Sequence, residues 1–418
     1  MKKTIFISMH FYPKEGGVET FLKEVAKAWG RDEAEVWASK QPDTPDEMKR
    51  PLSILRFDWG NGSHRDSVRK FFWLFFNSKH KLAYIKYVFL LFINRIMLQN
   101  CTPFIYDSVP TFMGYYKRNK SLIMQCSMAI YTGVIGLFYK LMFGTPFVVY
   151  AHGSELIYYS RKKNQNMMLK FVLKKADLII SNSQFTTDLL ISKGAKQDKI
   201  FKTLLGANTK MFFPKDTQTM IKQRYNIPEN HKILLTVSHL VPRKGMDMVI
   251  KSLPNILESV PNVTYLIGGR GEYLKTLKTL VDKLELHDHV KFLGFIKDED
   301  MNDIFNAADI FIMPNRMEDY DVEGFGIVFA DAAACAKATI AGNSGGAVDA
   351  IVDKETGYLV DPVSVRDIVD KCVTLLKDDE MRQQMGQNGY ERVQKELNWD
   401  AVRNKIYTKL KELDRNEK

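Results

Sequence analysis

Glu323 and Asp331 frame a nine-residue stretch, Glu323-Gly324-Phe325-Gly326-Ile327-Val328-Phe329-Ala330-Asp331, whose residue types suit three ligand groups at once. An acid closes the loop that follows the apolar run Asp309–Pro314, two glycines free the backbone, and a second acid follows on an expected helix. The opening amides of such a helix are unsatisfied donors at the positive end of its dipole, a natural seat for a diphosphate. Gly324, Phe325, Gly326, Ile327 and Val328 supply that backbone. A sugar carried by the diphosphate would project toward Glu323, and a ribose would lie at Asp331. Glycosidase carboxyl pairs stand roughly 5 to 9.5 Å apart. Eight helical residues advance about 12 Å, so the spacing disfavours a hydrolase acid pair.

Three smaller clusters sit where expected strands hand over to helices. Ser238-His239-Leu240-Val241-Pro242-Arg243-Lys244-Gly245 carries two cations, Arg243 and Lys244, that would neutralise a departing diphosphate. The plain alternative is a solvated basic loop. Gly16-Gly17-Val18-Glu19 occupies the first strand-to-helix turn. Gly17 there permits close phosphate approach, though paired glycines serve ordinary helix entry equally well. His152, in His152-Gly153-Ser154-Glu155, follows the run Phe147–Tyr150 and either reaches a ligand or packs. Gly268-Gly269-Arg270-Gly271 lacks the G-x-G-x-x-G spacing, so a nicotinamide-binding fingerprint is missing at the first strand of each half.

Positioning these residues requires an α/β framework. Short β-rich runs alternate with helical stretches along the chain, the signature of parallel sheets with crossover helices. Expected strands are Thr4–Ser8, Glu35–Ala38, Ile54–Phe57, Pro103–Tyr106, Phe147–Tyr150 and Leu178–Ser181, then Ile233–Ser238, Val263–Ile267, Val290–Leu293, Ile310–Met313 and Thr339–Ala341. Helices such as Thr20–Trp29, Met246–Ser259 and Tyr273–Leu284 lie between them. At 418 residues the chain suits two domains. We expect a first Rossmann-like domain over 1–205, a second over 206–398, and a C-terminal helix over 399–418, joined near Gly206–Pro214. The apolar run Leu122–Tyr139 reads as a crossover helix of a soluble fold rather than a membrane span. Four scattered cysteines (Cys101, Cys126, Cys335, Cys372) suggest a reduced chain without a disulfide framework. The opening Met1-Lys2-Lys3 and Thr4–Met9 read as a first strand, not a signal peptide.

Charge is unevenly distributed. Residues 1–205 hold 31 Lys and Arg against 16 Asp and Glu, whereas the remainder holds 29 against 33. An excess confined to one half points to an anionic partner there, either nucleic acid or an anionic membrane surface. No nucleic-acid-binding module is recognisable, which sets the first aside. Within 65–96, Arg65, Arg69, Lys70, Lys79, Lys81, Lys86 and Arg95 interleave with Phe71, Phe72, Trp73, Phe75, Phe76, Tyr84, Tyr87, Phe89 and Phe92. Cations that meet lipid phosphates and rings that sit among headgroups make an interfacial segment. A helical lobe with solvated charges is the alternative.

Taken in order, these elements resemble the retaining glycosyltransferases of the GT-B fold, family 4. The resemblance rests on Gly16-Gly17-Val18-Glu19, His152-Gly153, Asn182-Ser183, Gly206, Pro242-Arg243-Lys244-Gly245, the Glu323–Asp331 stretch, Ser344-Gly345-Gly346 and Thr356-Gly357-Tyr358-Leu359-Val360. The run Val322–Ala330 with Ala341–Gly346 looks closest to the phosphatidylinositol mannosyltransferase-like branch. The resemblance implies two Rossmann-like domains facing across a cleft, with the final helix crossing back to the first. It implies that Glu323 hydrogen-bonds the transferred hexose and Asp331 the ribose. Lys244 and Arg243 would stabilise the leaving diphosphate, the amides of Gly17 and Gly326–Val328 would bind phosphate, and His152 would contact the sugar near the reacting carbon. No metal or other cofactor is implied beyond the nucleotide-sugar donor.

Three departures stand out. Ser238-His239 replaces a usual Gly-Arg, so one phosphate-binding arginine is missing and His239 could substitute for it when protonated. Asp331 is one methylene shorter than the usual Glu, and Cys335-Ala336-Lys337-Ala338 replaces a Cys-Gly-Lys-Pro turn. The expected activity is transfer of a mannose- or glucose-type hexose from a GDP- or UDP-sugar to a lipid-linked or glycan acceptor, in the cytoplasm at the inner face of a membrane. A soluble transferase acting on a sugar phosphate, or a non-catalytic nucleotide- or RNA-binding protein, are the alternatives.

Overall fold

The computed structural model describes residues 3–9, 16–30, 33–39, 53–57, 81–92, 95–118 and 122–415. The interfacial residues expected between 65 and 80 lie outside that set.

Runs of β-branched, aromatic and aliphatic residues form two parallel sheets. In the first, β1 (Lys3–Ser8), β2 (Ala34–Ser39), β3 (Ser53–Phe57), β4 (Leu122–Cys126), β5 (Phe147–Ala151), β6 (Leu178–Ser181) and β7 (Ile200–Lys202) take the order β3-β2-β1-β4-β5-β6-β7. In the second, β8 (Lys232–Val237), β9 (Val263–Gly268), β10 (Val290–Gly294), β11 (Ile310–Met313), β12 (Ala338–Gly342) and β13 (Gly357–Val360) take the order β10-β9-β8-β11-β12-β13. Central strands such as β1, β4, β9 and β11 are buried along their apolar residues, because helices cover both faces of a parallel sheet. Strand order reverses between β1 and β4 in one sheet and between β8 and β11 in the other. Ligands of open α/β sheets bind beyond the strand C-termini at such reversals.

The described residues up to Thr203 join those from Arg403 onward in one compact unit, and Leu204–Val402 form a second. The C-terminal helix Trp399–Arg415 thus begins with the second unit and continues in the first, where Arg403 donates to the Glu24 carboxylate at 2.9 Å and Tyr407 packs edge-on against Trp29. Among the described residues no helix is long and apolar enough to cross a membrane.

Ten of the eleven expected strands form within a residue of their expected ends. Pro103–Tyr106 does not: it lies inside the helix Arg95–Arg118. Cys101, Phe104, Ile105, Ser108 and Phe112 are buried there at helical spacing, whereas Asp107 and Pro110 face outward, so the apolar cluster marks one face of a helix. Three strands form where none is expected, β7, β13 and β4, the last at the start of the run expected to be a single helix from Leu122. Helix begins only at Thr132 and ends at Phe143, after Ser127–Tyr131 has turned the chain away from the sheet. A fully buried strand and a buried helix share the same continuous apolar pattern, which hid that boundary.

All four cysteines are free and buried. Burial raises each thiol pKa, and that of Cys335 is pushed up to about 12 from the ordinary 9.0. Three units cut the thiolate fraction of Cys335 roughly a thousandfold. A thiol reagent such as Ellman's is therefore expected to leave the native chain unmodified over minutes at pH 8 and to titrate four thiols once it is unfolded. Rapid native modification of any of them would contradict this packing.

Candidate functional site

The loops after β8 and β11 flank the reversal point of the second sheet and are locked to each other. The chain leaves β8, makes a 3-10 turn over Pro242–Lys244, and passes through Gly245 at φ 77°. A β-carbon at Gly245 would fall 2.1 Å from the carbonyl oxygen of Pro314, so the two loops touch backbone to backbone. The amide of Arg316 then donates to the carbonyl of Arg243 at 2.8 Å. From the other side, Gly345 (φ 62°) comes so close that its β-carbon would sit 2.5 Å from the Glu323 carbonyl, which accepts from the Gly346 amide at 2.7 Å. Loops from β8, β11 and β12 thereby fix the backbone that carries Arg243, Lys244 and Glu323.

Those three side chains converge on one oxygen. Arg243 donates through Nη1 to Glu323 Oε2 at 2.7 Å, and Lys244 Nζ donates to that same oxygen. Glu323 Oε1 has no protein partner among the described residues. Burial alone would raise the Glu323 pKa, but the cations of Lys244 and Arg243 reverse that and hold it at about 2. Arg243 is also held by Asp321, which accepts from Nε at 2.6 Å. Beside this group Arg316 forms a second fork, to Asp247 at 2.9 Å and Glu318 at 2.8 Å. A tight turn, with reciprocal backbone hydrogen bonds between Glu318 and Asp321 at 2.9 and 3.0 Å and Asp319 at φ 52°, links the two forks.

The helix Ile327–Ala334 starts directly beyond Glu323, with Gly326 as its cap at φ 85°. Among the described residues the amides of Gly326, Ile327 and Val328 donate to no protein group, as a helix N-terminus left for a ligand requires. Phe325 contributes backbone only, its ring being fully buried. Because helix begins at Ile327, the 12 Å advance expected between the two acids does not apply to Glu323–Gly326. Asp331 is only 7% exposed and its carboxyl has no hydrogen-bond partner among the described residues; burial pushes its pKa well up. Such a group is satisfied when a ligand hydroxyl reaches it. Asn315, fully buried at the end of β11, spends its amide on the Ser344 carbonyl at 3.1 Å and leaves its own oxygen unpaired. Among the described residues no group of three His, Cys, Asp or Glu is placed to hold a metal ion.

His239 is exposed on the β8 loop, with no side-chain contact to the Arg243–Lys244–Glu323 group. Gly17 and His152 belong to the first unit. Gly17 opens the helix Gly17–Ala26, and a β-carbon there would meet nothing within 4 Å among the described residues. His152, at the end of β5, points Nε2 at the Ser127 carbonyl, 2.8 Å away at the end of β4. A carbonyl only accepts, so Nε2 carries the hydrogen and neutral His152 presents Nδ1 as an acceptor. Its backbone amide donates to Glu155 at 2.7 Å, and Phe21 packs edge-on against the ring. Ser127 Oγ and Gln125 Nε2, at the end of the adjacent strand β4, are both buried and without a partner among the described residues.

The sequence reading missed Asp321, the Asp247–Arg316–Glu318 fork, Asn315 and Ser127. Position offered a signal for some: Asn315 lies two residues beyond the strand, and Asp247 lies in the first turn of the helix after Gly245.

Residues 217–392 match the family model for glycosyl transferases group 1. Over 245 residues the chain is 33% identical to a GDP-mannose-dependent alpha-(1-6)-phosphatidylinositol monomannoside mannosyltransferase of Mycolicibacterium smegmatis, covering 58% of this chain and 64% of the relative. The enzyme of that description from Mycobacterium tuberculosis is 36% identical over 204 residues, 48% of this chain and 53% of the relative. The chain thus matches less than two thirds of the length of either. The solved structure of Anabaena HepE in complex with UDP and glucose covers 98% of this chain and all of its own at a TM-score of 0.76, with 19% identity. That likeness establishes the GT-B fold.

Glu323 has a pH signature. Its folded pKa of about 2 lies below the ordinary 4.5, so the stability it contributes is complete above pH 4.5 and is lost as pH falls through about 2. Glu323→Gln removes the carboxylate facing buried Lys244 and leaves Arg243 to Asp321 alone, and should cost about 3 kcal/mol at neutral pH. Thermal unfolding followed from pH 7 downward should show the gap to wild type narrowing below pH 4.5; a gap that stays constant to pH 2 would contradict the assignment.

Proposed function

For a chain whose residues 217–392 match the family model for glycosyl transferases group 1, we propose a retaining hexosyltransferase that uses a GDP- or UDP-sugar. The observation that carries this reading is the pairing of Arg243 and Lys244 on one oxygen of Glu323, beside a helix whose first amides are unspent. Cations and amides in that arrangement suit a diphosphate, and the unpartnered Glu323 Oε1 suits a sugar hydroxyl. Asp331, buried without a partner, would take the ribose hydroxyls. The first unit is proposed to contribute the Gly17 amide to phosphate and His152 Nδ1 to the sugar.

In the proposed reaction the acceptor hydroxyl attacks the anomeric carbon from the face on which the diphosphate departs. The carbon–oxygen bond to the diphosphate breaks as the new glycosidic bond forms, and the acceptor's proton passes to a departing phosphate oxygen. Lys244 and Arg243 offset the charge that develops on that group, and Glu323, held ionised, fixes the hexose.

The proposed acceptor is lipid-linked or a glycan, in cell-envelope glycan or glycolipid synthesis, which accords with the phosphatidylinositol mannoside named for the two relatives. Peripheral attachment to the inner face of the membrane is part of the proposal. On the helix Lys81–Phe92, Leu82 is 85% exposed, Ile85 51% and Phe89 59%, at the spacing of one helical face, with exposed Lys81 and Lys86 alongside. Apolar side chains flanked by lysines suit an anionic bilayer surface.

A panel of GDP- and UDP-sugars, scored for protein-dependent hydrolysis and for protection against unfolding, should single out one donor. With that donor Glu323→Gln is expected to lower turnover at least a hundredfold while the chain stays folded; unchanged turnover would overturn the role of Glu323. In flotation, the chain should rise with vesicles containing anionic lipid and stay down with neutral ones or in high salt. Replacing Leu82, Ile85 and Phe89 together by serine should abolish flotation. Binding indifferent to lipid charge would count against the membrane reading and favour the soluble acceptor.

A further inference from the structure

Asp321 was not among the residues expected to act, yet it occupies the Nε edge of Arg243 at 2.6 Å while Glu323 occupies Nη1 at 2.7 Å. With Lys244 also on Glu323, two cations face two carboxylates, and the group is electrically balanced before any ligand arrives. A diphosphate entering here does not meet free positive charge; it must draw Arg243 away from acids that already hold it. The two acids differ in what else they can do. Glu323 lies at the cap of the helix Ile327–Ala334, with one oxygen unspent for a ligand. Asp321 stands on the more open side, its side chain 56% exposed, at the end of the tight turn from Glu318.

That turn fixes Asp321 independently of Arg243. Its backbone is bonded to Glu318 in both directions, and the Glu318 carboxylate is held by Arg316, which is anchored in turn to Asp247. Asp321 is thus a charge supported from behind, which stays in place whether or not Arg243 turns to a ligand. On the reading of this site as a diphosphate site, we propose that Asp321 is a resident counterion that competes with the diphosphate for Arg243, weakens the grip on the nucleoside diphosphate product and recaptures the guanidinium as the product leaves. In transfer, the diphosphate gains charge as the sugar departs, so a site built only of cations would retain its product. A fixed acid beside the arginine lowers that retention without touching the reacting atoms.

The experiment is calorimetric titration of wild type and Asp321→Asn with GDP and UDP, at low and high salt. Asparagine keeps an oxygen that can accept from Arg243 Nε and removes only the charge. The expected result is about fivefold tighter binding of the nucleoside diphosphate, the size of one exposed charge pair. The gain should shrink in high salt and be matched by stronger product inhibition of turnover. It should vanish when both chains also carry Arg243→Gln, since the competition runs through that guanidinium. Equal or weaker binding by Asp321→Asn would overturn the proposal, as would a gain that persists without Arg243. Failure of the wild type to bind either nucleoside diphosphate would overturn the diphosphate reading itself and this inference with it. Thermal unfolding of each variant, run in parallel, separates these outcomes from loss of fold.

Discussion

A buried lysine and a half-buried arginine on a single carboxylate oxygen form the interaction on which the second unit's chemistry rests. Lys244 is largely withdrawn from water, and Glu323 is nearly so. Either charge alone at this position would be costly, and together they are tolerated only because their geometry is fixed. A hydrophobic pair of similar volume would stabilise a protein at least as well. An ion pair kept under these conditions is therefore better explained by what it does to a ligand than by what it does for the fold. Its position agrees: it lies at the strand reversal of the second sheet, where open α/β sheets bind their ligands.

The support for this pair is mostly backbone. Two glycines let three loops approach at distances that no side chain would permit, and amide-to-carbonyl bonds between neighbouring loops hold them there. The side chains that surround the pair are arranged in layers of charge, with Arg243 tied to Asp321 and Arg316 to Asp247 and Glu318. Such a frame holds the backbone of the site in place, so a ligand has chiefly the Arg243 side chain to redirect. The first unit follows the same architectural logic with different residues. There a histidine at the end of β5 is oriented by a carbonyl at the end of β4, its neighbour in the sheet.

The sequence made much of this legible because the relevant signals are local. A strand followed by an acid, two glycines and a helix is written in consecutive residues, and Glu323, Gly324 and Gly326 were found that way. Arg243 and Lys244 were found from their place after a strand. What stayed hidden depends on contacts between residues far apart in the chain. Arg243 reads as a free phosphate ligand until Asp321, 78 residues on, is seen bonded to it. His239 reads as a replacement for an arginine until its exposure on the β8 loop is seen. Asp331 was assigned to the helix face correctly, but nothing local shows that it would be buried without a partner. The run from Leu122 failed for another reason: a buried parallel strand and a buried helix carry the same apolar composition, and only pairing to β1 and β5 distinguishes them.

The clamp formed by Gly245 and Gly345 has a consequence for how such a chain diversifies. Positions at the base of the loops accept almost no change, because any added carbon meets backbone. Met317, exposed on the loop between the two charge forks, is under no such restriction. Drift among related chains should therefore accumulate at the tip and leave the base untouched. New ligand preferences can arise there by ordinary point substitution while the charges below keep their positions, so that the loop separates the part of the site that is free to vary from the part that is not.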